Sequence, residues 1–427
     1  MANNNSVFSR LTAPLTGLFQ SNANARKCTV SDLEWSLLGI RRVLLADASG
    51  RAFLQGIEYQ DTPDMATGHF FEALKSPRRL LYTEELNNAL INSKEAWNDI
   101  DDPLADYHEL DDFDINSGDG HYHKAPIHEK KVDGTAYETQ HFYGINMRSQ
   151  MTFHLVTALY GDGRKKENDI HALKRLYDEK LRQGSKKGRK VLWVWDRAGM
   201  DMRQWYLWKR KGIYFLTREK SLNKPIILGE PEFDQEDPVN AGVIKNELFG
   251  STSGVEAMRR ITYEVPETGE VYVYLTNLPQ SIRPGVIAYL YKRRWDIEKM
   301  FNTFKHKFFE RRAWAVSETA KSMQANFICL AHNLMLIFHR VLAKEIVEEF
   351  DYDIDKTHKK RKKKRIEKLS KNCEERKKTP SSLIQQVVRL AELPVVFIRW
   401  LRGHISYAGS WEDARDSLLV SCARFLS

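Results

Sequence analysis

The chain has 427 residues, 42 % hydrophobic and 11 % aromatic. That is enough for roughly two to three domains and too apolar for a disordered chain. No stretch approaches the ~20 uncharged apolar residues that span a bilayer. The start MANNNSVFSRLTAPL has no basic segment followed by an apolar one, and Cys28, Cys329, Cys373 and Cys422 are too scattered for a disulfide framework or zinc ribbon. These features predict a cytoplasmic protein with no membrane partner. The net charge of +9 is local: residues 356–378 carry 13 Lys and Arg against 3 Glu, which leaves the rest at −1. Nucleic-acid affinity can be read from that segment and not from the bulk charge.

Residues 1–110 read as helices separated by turns. Ser31–Leu45 has a Ser-Asp start and helical apolar spacing, and HFFEALKS and RRLLYTEELNNALINS flank Pro77. Asn98–Asp114 is acidic and weakly patterned, which predicts a linker. His141–Ser149 and Met151–Gly161 have strand composition, His171–Gln183 is helical, and Val191–Asp196 is a fully apolar run ending in an acid. A helix closed by Gly212 and a strand over Gly212–Arg218 follow. Residues 221–280 form a β-rich block with a hairpin joined by PETG. Pro284–Arg312 reads as one long helix, and 315–350 and 381–427 as largely helical. There is no internal repeat. Strand, helix and strand in this order predict an α/β sheet covered by helices.

The segment YKRRWDIEKMFNTFKHKF carries the chemistry. At 100° per residue, Arg294, Glu298 and Lys305 fall within about 60° of Tyr291. Leu290, Ile297, Phe301, Phe304 and Phe308 form an apolar stripe beside them. An acid among a phenol and two bases, at the edge of a buried face, suits both a metal ion and a phosphate. The bland alternative is a solvated face on which Glu298 pairs with Arg294 four residues away.

The spacing Y-x2-R-x3-E-x6-K, here Tyr291, Arg294, Glu298 and Lys305, resembles the signature of DDE transposases of the insertion-sequence-four type, with no departure in residue or offset. The resemblance runs from about Phe113 to Phe309. It implies an α/β fold with an RNase H-like catalytic domain (111–220 and 281–345) interrupted by the β-rich insertion (221–280), with a helical N-terminal region (1–110) and a basic and helical C-terminal region (346–427). It also implies three metal-binding carboxylates and two Mg²⁺ ions, with Mn²⁺ as a substitute.

Asp196, at the end of VLWVWD, is the second acid by this resemblance; its bland alternative is a helix N-cap. Asp119 in INSGDGHYHKA is the choice for the first, with Asp133 in KKVDGTAYE as rival and Asp114 behind them. Asp-Gly is a strong turn signal at both Asp119 and Asp133. Trp295 lies beside the polar stripe, placed to stack on an unpaired base or to pack half-buried. His121, His123 and His128 lack a cysteine pair and read as surface or substrate-side histidines rather than a zinc site. The expected reaction is Mg²⁺-dependent cleavage at element ends followed by strand transfer. The expected partners are terminal inverted repeats, target DNA and a second copy of the chain. The alternatives are a nuclease of the same fold and a domesticated DNA-binding protein without catalysis.

Overall fold

The computed structural model describes residues 6–18, 30–46, 49–57, 67–129, 131, 134, 136–159, 167, 169–186, 188–197, 200–219, 226–250, 257–308, 310, 312–353, 397–405 and 410–426. The rival acid Asp133 and the basic segment 356–378 lie outside the described residues. The chain divides into two units, one formed by 22–54 and 64–333, the other by 1–21, 55–63 and 334–427.

The helices before the sheet are α1 (Val7–Leu18), α2 (Asp32–Leu45), α3 (Gly50–Ile57), α4 (Thr67–Ala73), α5 (Pro77–Ile91) and α6 (Lys94–Trp97). Helix α2 begins in a capping box. The Ser31 hydroxyl accepts from Glu34 N at 3.2 Å, and the Glu34 carboxylate accepts from Ser31 N at 2.8 Å. Pro77 sits in the first turn of α5, where its missing N–H costs nothing. The stretch expected to be a linker is instead packed down. Leu104 and Leu110 are buried, and Asp102 and Glu109 each pair with an arginine at 2.6 Å, Arg148 and Arg283 respectively. Two of the acids that made it look like a solvated linker are counter-ions.

The fold is mixed α/β around a nine-stranded sheet. Its strands are β1 (Phe113–His123), β2 (Thr139–Asn146), β3 (Thr152–Thr157), β4 (Lys190–Val194), β5 (Ile213–Arg218), β6 (Ile226–Gly229), β7 (Val243–Gly250), β8 (Met258–Glu264) and β9 (Val271–Thr276). The spatial order is β3-β2-β1-β4-β5-β9-β8-β7-β6. The pairs β1–β4 and β4–β5 are parallel and the other neighbours antiparallel. The short helices α7 (Asp169–Lys174) and α8 (Asp178–Leu181) separate β3 from β4, and α9 (Met202–Lys209) separates β4 from β5. The β-rich block is no separate body: Tyr274–Thr276 pair with Leu216–Arg218, so its strands extend the same sheet.

Strand β1 contains the Asp-Gly stretch that local propensity reads as a turn. Gly118 and Gly144 stand opposite each other across β1 and β2. A Cβ on Gly118 would collide with the Trp195 ring, and one on Gly144 would lie 2.5 Å from Phe153 and 2.8 Å from Trp193. The two indoles stack with centroids 5.5 Å apart. The glycines are bare patches of a pleated surface that these rings fill, which keeps the segment extended.

The single helix expected over Pro284–Arg312 is broken. Helix α10 (Pro284–Arg293) ends, α11 (Asp296–Asn302) begins, and a π turn (Thr303–Lys307) follows. At the break the N–H groups of Arg294, Trp295, Ile297 and Glu298 each reach back three residues, with bonds of 3.1–3.4 Å. At the far end Phe308 N reaches back five, to Thr303 O at 3.1 Å. A tightened turn and then a widened one re-aim the side chains between them. Helix α10 packs Val286 and Leu290 onto Ile115, Leu192 and Leu216 of the sheet.

The long helix α12 (Glu318–Asp353) follows. Its Glu318–Leu342 stretch is, among the described residues, long and apolar enough by composition to cross a membrane, which the sequence reading did not anticipate. That stretch is mostly buried inside the protein, so its apolarity serves packing. In the other unit, a helix over residues 397–405, α13, and a last helix, α14 (Trp411–Leu426), supply Phe397, Trp400 and Trp411, which cluster with Phe338. The Trp400 indole donates to Ala414 O at 2.7 Å.

Candidate active site

Alternation along β1 puts Ser117, Asp119, His121 and His123 on one face, the face that α10 and α11 cover. Asp114 has the opposite parity. It is buried and accepts from Arg189 Nε at 2.9 Å and Lys186 N at 3.0 Å, so its oxygens serve a structural ion pair. Strand β4 runs parallel beside β1 with Ser117 opposite Val194. Two residues further along each chain stand Asp119 and Asp196, on that same face. The Asp196 carbonyl accepts from the Thr217 hydroxyl at 2.7 Å, which pins the strand end to β5. The N-cap role that competed for Asp196 belongs to Asp201, whose carboxylate accepts from Gln204 N at 2.9 Å at the start of α9.

Arg294 occupies the break between α10 and α11, and its guanidinium joins two acids from distant parts of the chain. It donates to Asp119 Oδ2 at 3.1 Å and to Glu298 Oε1 at 3.3 Å. Its backbone carbonyl accepts from the Ser117 hydroxyl at 3.2 Å. Its guanidinium also lies 5.8 Å from the Tyr291 ring centre. The pairing of Glu298 with Arg294 that the bland reading offered is real, and it is half of a bridge.

The electrostatics record the convergence. Burial pushes the Asp119 carboxyl up to about 6; the Gly120 N–H and Arg294 hold it down, and the charges of Asp196 and Asp169 raise it. Burial works against the Arg294 charge, but Asp119, Tyr291, Glu298 and Asp196 together outweigh it, so its pKa stands above the ordinary guanidinium value. Burial raises the Tyr291 phenol, with Arg294 opposing and Asp196 adding, which keeps it a hydrogen-bond donor. The expected stripe is thus assembled at Tyr291, Arg294 and Glu298. Lys305 is exposed in the π turn, and its charge is felt at His121 and His123. Trp295 is 58 % exposed at the head of α11. Ile297, Phe301, Phe304 and Phe308 are buried.

The histidines overturn their surface reading. His121 and His123 are buried, and only His128 is exposed among the three. With His141 and His154 they form a layer of rings spaced 5.1–5.2 Å apart. Burial, with neighbouring positive charge adding, drives His121 down to about 2 and His123 to about 4, and holds His141 and His154 well below their ordinary value. All four are neutral at physiological pH. The signal for this layer was available in the alternation H-x-H on β1, but a histidine's burial depends on what covers the strand.

Among the described residues no group of three or more His, Cys, Asp or Glu stands close enough to hold a metal ion together. The acids flank the Arg294 guanidinium instead. Asp119 and Asp196 lie just past the last pairs of the parallel β1–β4 ladder, and Glu298 faces Asp119 from the covering helix across the Arg294 guanidinium. The transposase DDE domain family model matches residues 108–334, and the chain belongs to that family. No curated protein matches the chain. The family is one of DNA-cleaving and strand-transferring enzymes that use divalent metal ions, which makes DNA the substrate class.

Proposed function

We propose that the chain is a transposase of the insertion-sequence-four type that cuts DNA at the inverted repeats of its element and joins the freed ends to target DNA. The observation that carries this reading is the Arg294 bridge between Asp119 on β1 and Glu298 on α11, with Asp196 alongside. The strand order β3-β2-β1-β4-β5, antiparallel then parallel, supports an RNase H-like domain extended by an insertion.

The donor set fits Mg²⁺, a hard cation that takes carboxylate oxygens. Asp119 is held near a pKa of about 6 by burial and by its neighbouring acids, a repulsion that a cation relieves. Asp119, Asp196 and Glu298 would hold the two ions. Bound Mg²⁺ supplies Lewis acidity at the attacking and leaving oxygens of a phosphodiester, and Mn²⁺ substitutes for it. The Arg294 guanidinium, a planar fork of donors, would take a flanking phosphate. Lys305 adds a point charge, and Tyr291, still protonated, donates a hydrogen bond. Trp295 offers an exposed flat face to an unpaired base.

The N-terminal region, residues 1–110, is assigned to binding DNA ends. The basic segment 356–378 adds salt-dependent affinity, and deleting it flattens the salt slope of DNA binding. The active complex is a homodimer, working on DNA in the cytoplasm. Glu298→Gln keeps the size of the side chain and removes its charge. It binds element ends and does not cleave them; Mg²⁺-dependent cleavage at the wild-type rate by this variant would sink the assignment. A pre-cut end with a free 3′-OH, offered with target DNA, separates a transposase from a nuclease that only cuts.

A further inference from the structure

Three successive residues on one face of β1 touch the helical segment that carries Glu298. Ser117 donates to the Arg294 carbonyl and Asp119 accepts from the Arg294 guanidinium. His121 lays its ring flat on Phe301, with centroids 4.6 Å apart and planes within 17°. Phe301 stands one helical turn beyond Glu298, and His121 stands one same-face step beyond Asp119. The stack therefore joins the two backbones immediately behind the two acids. Phe304 at 6.2 Å, Tyr143 at 6.4 Å and His123 at 5.1 Å meet the His121 ring edge-on, and the side chain is buried among them.

A cation would compete with Arg294 for the carboxylate oxygens, which would weaken the bridge as a spacer between the acids. The acids then repel one another except through the ion. Two contacts between strand and helix at this point do not use the carboxylates: the Ser117 bond to a backbone carbonyl and the flat contact behind it. We propose that His121 is a positioning residue: its stack on Phe301 holds the strand of Asp119 and the helix of Glu298 at the separation that lets both acids share divalent cations. The proposal rests on the metal-binding reading above. It assigns His121 no contact with the ion or with DNA.

The test measures Mn²⁺ uptake by the full chain without DNA, by electron paramagnetic resonance, alongside thermal unfolding and end cleavage. His121→Ala weakens Mn²⁺ binding about tenfold, the scale of one lost aromatic stack. It raises the half-saturating metal concentration for cleavage by a similar factor, while cleavage at saturating metal stays closer to wild type. His121→Phe keeps the flat face and restores binding to within about threefold. If the alanine variant does not fold, His121→Leu, which fills the space without a flat face, takes its place. Loss of thermal stability with unchanged Mn²⁺ affinity overturns the proposal, as does a phenylalanine variant that binds no better than the alanine one. Wild-type protein that takes up no Mn²⁺ overturns it too. Wild-type protein that binds Mn²⁺ but cleaves no DNA end refutes the proposed activity, and the binding series still judges His121.

Discussion

The two arms of the sheet are built to different rules. In β1, β2 and β4 nearly every residue is buried, whichever way it points, and glycines are spaced to admit indoles. In the arm from β9 to β6 burial falls away, until Ile226, Ile227 and Leu228 on the edge strand are 49 %, 40 % and 60 % exposed. Its charges are settled by local pairs such as Arg260 with Glu219 at 2.9 Å and with Glu247 at 2.5 Å. The acids that converge on Arg294 all spring from the covered arm or the helices on it. A cluster of like charges needs walls that cannot move apart, and only the doubly covered arm supplies them.

Four experiments would break or sharpen that contrast. The largest effect falls on the acids: Asp119→Asn and Asp196→Asn each lower end cleavage by more than about a hundredfold, beyond the 10–100-fold typical of groups that merely support a metal ligand. Circular dichroism should show both variants folded. Cleavage within tenfold of wild type by either would remove that acid from the site. Next, Gly118→Ala drives a methyl into Trp195 and destabilises the fold by ~3 kcal/mol, the upper end of the overpacking range. Gly229→Ala, with nothing within 4 Å, stays within about 0.5 kcal/mol in denaturant titration. Equal effects at the two glycines would erase the distinction between the arms.

A smaller effect is pH-dependent. Glu310 is buried, accepts from Gln324 Nε2 at 2.6 Å, and is pushed by burial up to about 7, with Gln324 and Arg42 opposing. The folded chain therefore binds this proton more tightly than the unfolded chain. The resulting stability is complete below the ordinary carboxylate value and is lost as pH rises through about 7. Glu310→Gln removes this dependence, so the Tm gap between variant and wild type widens from pH 5 to pH 8; a constant gap contradicts the burial of an unshared acid. The smallest effect is Leu228→Ser on the exposed edge, within about 0.5 kcal/mol of wild type. A loss above 2 kcal/mol would show that this edge is covered.

What sequence could disclose follows the range of the forces involved. Tyr291, Arg294 and Glu298 are legible because their offsets lie within two helical turns, and a fixed spacing survives even where the helix is broken. The place of Asp196 just after a buried strand is legible, because a short, fully apolar run before an acid reads as such a strand. Strand β1 is not legible locally. Gly118, Asp119 and Gly120 have turn chemistry, and what straightens them is Trp195, seventy-odd residues away. The break at Arg294 is hidden too, since no proline or glycine marks it. The buried histidines are misread for a related reason. Their ring nitrogens are polar, but Phe301, Phe304 and the next strand remove them from water.

The central claim is that Asp119, Asp196 and Glu298 belong to one cation site. A crystal structure of the chain with Mn²⁺, phased on the anomalous signal of the metal, tests it most directly. The account predicts Mn²⁺ on Asp119 together with Asp196 or Glu298, and an Arg294 guanidinium that has left both of its acids. Mn²⁺ bound through Asp133 in place of Asp119, or bound with the Arg294 bridge intact, would contradict it.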